Sequence, residues 1–274
     1  MARVPGGLDV ADLVVDLGRL DVSGAPGILV HSSSKQLRHG PATLFSALLG
    51  SAGREATVVV PTHTTSNSLS SRVFLAATAG LDRADVERHI DALPGFDAAT
   101  TPSDEMGAFA EYVRQRPDAV RSRHPQTSFA AVGPRAAAWM AVHDLDCHLG
   151  ERSPLAALYD ADAHVLLVGV GLDRCTAFHL AEYRVRTPAP LRPYHCFVRA
   201  GGRRHARRFA DIELHDHDFA VLGREFGREP TVTHGTVGAA RAAAFPLRAA
   251  VDFAVEWMNT HRPSAGRPPT EVAG

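Results

Sequence analysis

Lysine is nearly absent from this chain of 274 residues: of its 29 lysines and arginines, only Lys35 is a lysine. Against 30 aspartates and glutamates they leave a net charge of −1, which gives no general electrostatic attraction to nucleic acid or a membrane surface. Cysteine is scarce too. Cys147, Cys175 and Cys196 are odd in number and show no CxxC spacing, which argues against a disulfide framework and a thiolate zinc site. No apolar run reaches the roughly 18–20 residues that cross a bilayer, and "MARVPGGLDV" has no apolar core of a secretory signal. A cytoplasmic protein with reduced thiols is expected. Familiar chemical signatures are missing as well. There is no GxSxG elbow, no P-loop and no HExxH helix, and "GVGLDR" lacks the third glycine of a dinucleotide-binding turn. No metal site is expected.

What is present is an ordinary globular composition, 45% apolar and 22% charged, in a chain long enough to bury a sizeable core. "LDVADLVVDLGRL" has helical spacing, "GILVHSS" reads as a buried strand, and "GPATLFSALLGSAG" as a helix opened by proline and closed by glycine. "ATVVVPTHT" is a second strand. "SDEMGAFAEYVRQRPD" predicts a helix with Ser103 as N-cap, acids early and arginines late; "GPRAAAWMAVHD" predicts another. "AHVLLVGVG" is a short apolar run between glycines, the pattern of a central strand. "EYRVRTPAP" and "YHCFVRAGGRRHARRFAD" then alternate like strands, with Gly201-Gly202 as a hairpin turn. "DHDFAVLGREFGRE" and "FPLRAAVDFAVEWMNTHR" read as helices. The expected fold is α/β: a single domain, residues 1–262, with a mixed central sheet flanked by helices and a β-hairpin insertion. Residues 263–274, rich in Pro and Gly, are expected to be a flexible tail.

Fifteen histidines in an arginine-rich chain reflect base composition as much as chemistry, so position has to single out those that act. "HDHD" at 215–218 reads as the solvated start of a helix, and "RRHARR" as a solvated hairpin arm. Three other polar clusters sit where strands run out, which is where α/β folds build ligand sites. In "VHSSSK", His31 and three serines precede a helix, offering hydroxyls and free N–H groups to a phosphate or simply capping the helix. In "VVVPTHTTSNS", Thr62, His63 and Thr64 follow a strand. In "GVGLDRCTAFHLAEYR", Thr176 is a candidate N-cap, with His179 and Glu182 three residues apart on one helical face.

The blocks "VHSS", "VVPTHT", "RSRHPQTSFAAVGPRA", "GVGLDRCTAFHLAEYR" and "VGAARAAAFPLRAAVDFAVEW" stand in an order that resembles the aminoglycoside 3-N-acetyltransferases, an antibiotic acetyltransferase family unrelated to the GNAT fold. The likeness runs over roughly residues 25–260, almost the whole chain. It implies that family's fold, acetyl-coenzyme A as donor, and a 2-deoxystreptamine aminoglycoside acetylated at its 3-amino group. It also implies His179 as catalytic histidine and Thr176 near the reacting centre. His31, Ser32 and Ser33 match the block against the pantetheine and pyrophosphate of coenzyme A, and Ser34 and Lys35, next in the chain, are expected to bind the same donor. His63, Thr64 and His124 match blocks lining the cleft, with Ser128 beside the last. Glu105, Glu182 and Asp216 are the acids expected on the acceptor's side. No nucleic acid or membrane partner is implied, and the chain is expected to be a monomer or homodimer.

The chemistry of amine acetylation fits these residues. An alkylammonium group has no lone pair until a base takes its proton, and imidazole, with an ordinary pKa of about 6.5, suits that task. A carboxylate behind the ring would fix its tautomer. Glu213 is expected to fill that role, with Asp211 or Asp216 behind it, because a Glu182 side chain on the same helix face points past the ring. The Thr176 hydroxyl or nearby N–H groups would receive the thioester oxyanion. Three departures from the family pattern stand out: basic "KQLRH" after the serines, no "SDP" after "PTHT", and Cys175 and Ala177 flanking Thr176. They leave open a different amine as acceptor, a ping-pong route through Cys175, and a non-catalytic ligand-binding protein.

Overall fold

The computed structural model describes residues 10–33 and 39–262. In chain order its elements begin with α1 (Val10–Gly18), β1 (Gly27–Ser32), α2 (Pro41–Ala52), β2 (Thr57–Pro61), α3 (Arg72–Thr78), α4 (Arg83–Ala92) and α5 (Gly107–Arg114). Then come β3 (Val120–Arg121), β4 (Phe129–Val132), α6 (Ala136–Met140), α7 (Pro154–Asp160), β5 (His164–Val168) and α8 (Phe178–Glu182). The chain continues through β6 (Leu191–Ala200), β7 (Arg203–Ile212), α9 (Phe219–Phe226), β8 (Thr233–Val237), β9 (Ala240–Pro246) and α10 (Leu247–His261).

Seven strands form one mixed sheet in the order β3-β4-β2-β1-β5-β9-β8. Its centre is parallel, with β1 between β2 and β5, while β4 and β9 run antiparallel on either side. Side chains alternate across a strand, so each central strand feeds two cores. Leu29, Val59, Val165 and Leu167 pack on the face covered by α6 to α10. Ile28, Val30, Val58, Val60 and Leu166 pack on the face covered by α1, α2 and α5. Because both faces are covered, β1, β2 and β5 read as continuous apolar runs rather than alternating ones. β6 and β7 form the separate two-stranded hairpin. Gly201 and Gly202, at φ 56° and 75°, supply the left-handed pair that a two-residue turn needs.

The expected α/β architecture is present, and four local readings change. Ser103 does not cap α5. The chain first passes through left-handed Glu105 and Gly107 (φ 54° and 86°), so the helix starts at Gly107 without a side-chain cap. Ser103 instead donates to Glu111 Oε1 through its N–H and Oγ, at 2.8 and 2.7 Å. Thr176 likewise does not cap α8, whose N-cap is Ala177. Glu182 ends α8 and residues 183–190 follow as turns, bends and irregular chain rather than a strand, consistent with Pro188 and Pro190. The alanine-rich "ARAAAFP" forms β9 beside β5; its small side chains gave no strand signal. Ser34, Lys35 and the tail at 263–274 lie outside the described residues.

Candidate active site

The carboxyl ends of the three parallel strands open onto one cleft of about 410 Å³. From β1 come His31, Ser32 and Ser33, from beyond β2 comes His63, and from the loop after β5 come Arg174 and Thr176. The opposite wall is the loop and first turn of α5, with Glu105, Met106 and Gly107. A Cβ on Gly107 would stand 3.2 Å from the Ser32 carbonyl oxygen, so the absence of a side chain lets this wall approach the strand end. The uncapped first turn of α5 leaves backbone N–H groups on that wall.

Two imidazoles face this cleft in neutral form. Burial lowers the His31 pKa to about 4. Burial, then the charges of His179 and His31, bring His63 to about 3. Neither Nε2 finds a hydrogen-bond partner among the described residues. Both nitrogens are buried and unpartnered in the wall of the cleft, on neutral rings that can donate or accept.

His179 stands on α8, its ring tilted against Phe219 at 4.8 Å between centroids. Its Nδ1 lies 2.6 Å from Glu182 Oε2. An ionised carboxylate only accepts, so Nδ1 carries the proton and Nε2 the lone pair. The same-helix pair therefore does meet, and the expectation that Glu213 would orient the ring is corrected. Glu213 is ion-paired with Arg192 at 2.7 Å at the base of the hairpin. Residues i and i+3 share one face of a helix, and here the two rotamers turn toward each other. Glu182 is 2% exposed. Its Oε1 accepts from the His215 backbone N–H at 3.0 Å and from Arg262 Nη1 at 2.6 Å. Glu182 and Arg262 also line a second cleft of about 450 Å³, walled by Val185, Pro188, His215 and Met258. Thus Thr176 at one end of the motif borders the first cleft, and Glu182 at the other end borders the second.

The remaining expected site residues do not join this group. Thr64 is buried and its hydroxyl donates to the Pro125 carbonyl at 2.7 Å. His124 is 1% exposed. Its Nδ1 accepts from the backbone N–H groups of Gln126 and Thr127, with Thr127 Oγ1 3.0 Å away, and its Nε2 lies 3.1 Å from Leu145 O. Burial, then His143 and His148, hold its pKa well below the usual value. Ser128 Oγ donates to the Thr62 carbonyl at 2.8 Å. Asp216 is exposed ahead of α9. His124 and Thr64 brace loops rather than face a ligand.

The sequence profile of the aminoglycoside 3-N-acetyltransferases matches residues 29–259. The chain belongs to that family. As an aminoglycoside 3-N-acetyltransferase family member it is an acyltransferase. Over 253 residues it is 31% identical to the SPbeta prophage-derived aminoglycoside N(3')-acetyltransferase-like protein YokD of Bacillus subtilis, covering 89% of each chain. The YokD crystal structure superposes with a TM-score of 0.85 at 28% identity, over 95% of this chain and 97% of that one. Aminoglycoside N(3)-acetyltransferase VII of Streptomyces paromomycinus is 31% identical over 94% of each chain. The AAC-IIIb binary complex with CoASH superposes with a TM-score of 0.81 at 26% identity, over 95% and 99% of the two chains. The members' shared fold thus extends across sheet, helices and hairpin. Sequence pattern alone does not mark Arg262 or Arg174 as site residues. An arginine just past a helix end is ordinary there, and nothing local names its distant carboxylate partners.

Proposed function

We infer that the protein transfers acetyl from acetyl-coenzyme A directly to the 3-amino group of a 2-deoxystreptamine aminoglycoside, with His179 as general base. One observation carries this reading. The 2.6 Å bond from Nδ1 of His179 to buried Glu182 leaves Nε2 with the lone pair that an alkylammonium acceptor must meet. Nε2 takes one proton, the amine nitrogen bonds to the thioester carbon, and as the C–S bond breaks the second proton on nitrogen passes to the departing thiolate, leaving the amide and free thiol. Glu182 stabilises the imidazolium formed meanwhile. The Thr176 hydroxyl is the side-chain donor suited to the developing oxyanion. His31, Ser32, Ser33 and the uncapped start of α5 offer donors to the phosphates and pantetheine amides of the donor.

Direct transfer is favoured over a covalent relay. Cys175 is fully buried, and burial raises its thiol to about 12, so a thiolate there is strongly disfavoured near neutral pH. His179→Ala is expected to lower turnover by about 10²–10⁴ while leaving acetyl-coenzyme A binding by calorimetry near normal. A variant that keeps most of its rate would remove His179 from the reaction.

One observation favours a second reading, another amine as acceptor. Among the described residues lining the first cleft, Glu105 is the sole carboxylate and Arg174 stands opposite in charge. A polycationic antibiotic binds best between several acids. Thiol release across gentamicin-, kanamycin-, neomycin- and apramycin-type acceptors and simple diamines separates the two. Thiol release with none of them, alongside ligand binding, points to a non-catalytic role.

A further inference from the structure

Arg262, the C-cap residue just past α10, reaches back across the fold to the reacting pair. Its Nη1 donates to Glu182 Oε1 at 2.6 Å, its Nε and Nη2 both donate to Asp218 at 2.8 Å, and Nη2 also meets the His215 carbonyl at 3.0 Å. Asp218 is the N-cap residue of α9. One guanidinium thus joins the ends of α8, α9 and α10 and faces two carboxylates, of which only Glu182 touches the imidazole.

We propose that Arg262 is a positioning residue for the dyad: wedged between Glu182 and Asp218, it holds Glu182 turned toward His179 and places a positive charge beside it, and Asp218 balances that charge. This rests on the reading of His179 as the base. The fork explains why arginine rather than lysine suits the site, since it serves two carboxylates in fixed geometry. Burial works against Arg262's charge, yet the bonds to Asp218 and Glu182 outweigh it and raise its pKa. Burial likewise opposes ionisation of Asp218, and the Arg262 bond outweighs it to hold that carboxyl below its usual range. The groups facing Glu182 are His179 on its own helix, Arg262 from α10, and Asp218 with His215 ahead of α9. Arg186 and His217 border the same cleft, and Tyr194 of β6 interacts with Glu182 electrostatically.

The signs of two substitutions follow. Arg262→Gln removes the positive charge that favours ionised Glu182 and opposes the imidazolium, so the pair holds its proton to higher pH. Asp218→Asn leaves Arg262's charge to act on the dyad alone, so the proton leaves at lower pH. The test is an NMR pH titration of the His179 ring in the full chain, which needs no acceptor. The His179 midpoint is expected to rise by about one pH unit in Arg262→Gln and to fall in Asp218→Asn. Arg262→Lys, which keeps the charge without the fork, is expected to recover most of the native midpoint. The acidic limb of kcat/KM moves with the midpoint, so a rise of about one unit gives up to a roughly tenfold loss along that limb for Arg262→Gln, while KM for acetyl-coenzyme A stays constant. A merely structural Arg262 would lower Tm and leave the limb in place. Midpoints that do not move, or that move in the same direction in the two variants, overturn the proposal. Should Arg262→Gln fail to fold, an unchanged midpoint in Asp218→Asn is enough to overturn it. Turnover retained in His179→Ala refutes the proposed reaction instead, whatever the titrations show.

Discussion

His179 and His148 each lie against a carboxylate through Nδ1, at 2.6 Å from Glu182 and 2.7 Å from Asp211. Both carboxylates are nearly inaccessible. The surroundings of the other nitrogen separate the two pairs. His148 Nε2 is 2.7 Å from the Gln126 side-chain amide, its backbone N–H binds the same Asp211 oxygen, and its ring is packed by His124, Tyr194 and Phe209. His179 has 18% of its side chain exposed and no protein partner on Nε2 among the bonds described. A histidine–carboxylate pair is therefore a base only where the second nitrogen is left to a ligand. Where both are engaged, the same pair is a rivet between a loop and a strand.

The difference predicts opposite phenotypes. In His179→Ala the large effect is kinetic, the 10²–10⁴-fold loss expected above, with little change in Tm. In His148→Ala the large effect is on stability. Asp211 is held below its ordinary pKa, since the bonds from His148 and Tyr183 outweigh burial, and removing His148 leaves a buried charge short of partners. A loss of about 3 kcal/mol in urea unfolding is expected, with kcat per folded molecule changed little. Equal kinetic damage in the two variants would end the distinction.

Acid is expected to act through a third class of histidine, those buried with a free nitrogen. His31 and His63 have pKa values of about 4 and about 3 in the folded protein, against about 6.5 unfolded. Below pH 6.5 the unfolded chain takes up protons that the folded chain refuses, so stability present above that pH is lost as pH falls toward 4. Each group is expected to contribute a loss on the order of 2–3 kcal/mol between pH 7 and pH 4. His31→Gln or His63→Gln flattens that limb in denaturant titrations run at the two pH values. Variants that lose as much stability as the native chain would show that these imidazoles titrate normally.

How much of this was legible in the sequence follows from the range of each interaction. β1, β2 and β5 announced themselves because strands covered on both faces must be apolar throughout, and the polar residues just past them marked the cleft. His31, Ser32, Ser33, His63, Glu105 and Thr176 do share one lining. The start of α5 was misplaced because the left-handed turn at Glu105 and Gly107 leaves no mark in periodicity. The carboxylate behind His179 was misassigned because spacing says that two side chains share a helix face, not that their rotamers meet. Arg262 and Asp211 act over separations of 80 and 63 residues, and local pattern carries no information at that distance.

Glu213 offers the smallest effect and the cleanest check on that misassignment. Its carboxylate is 39% exposed and meets an Arg192 side chain that is 33% exposed. Exposed pairs of this kind contribute about 0–1 kcal/mol, because water already solvates both charges and two long side chains must be ordered. Glu213→Gln is accordingly expected to shift stability by less than about 1 kcal/mol and to leave both turnover and the acidic limb of kcat/KM in place. Had Glu213 been the group behind His179, the same substitution would move that limb and cost turnover as the loss of a tautomer-fixing carboxylate does. Turnover and pH profile measured on this one variant therefore decide between the two carboxylates without disturbing the buried pair.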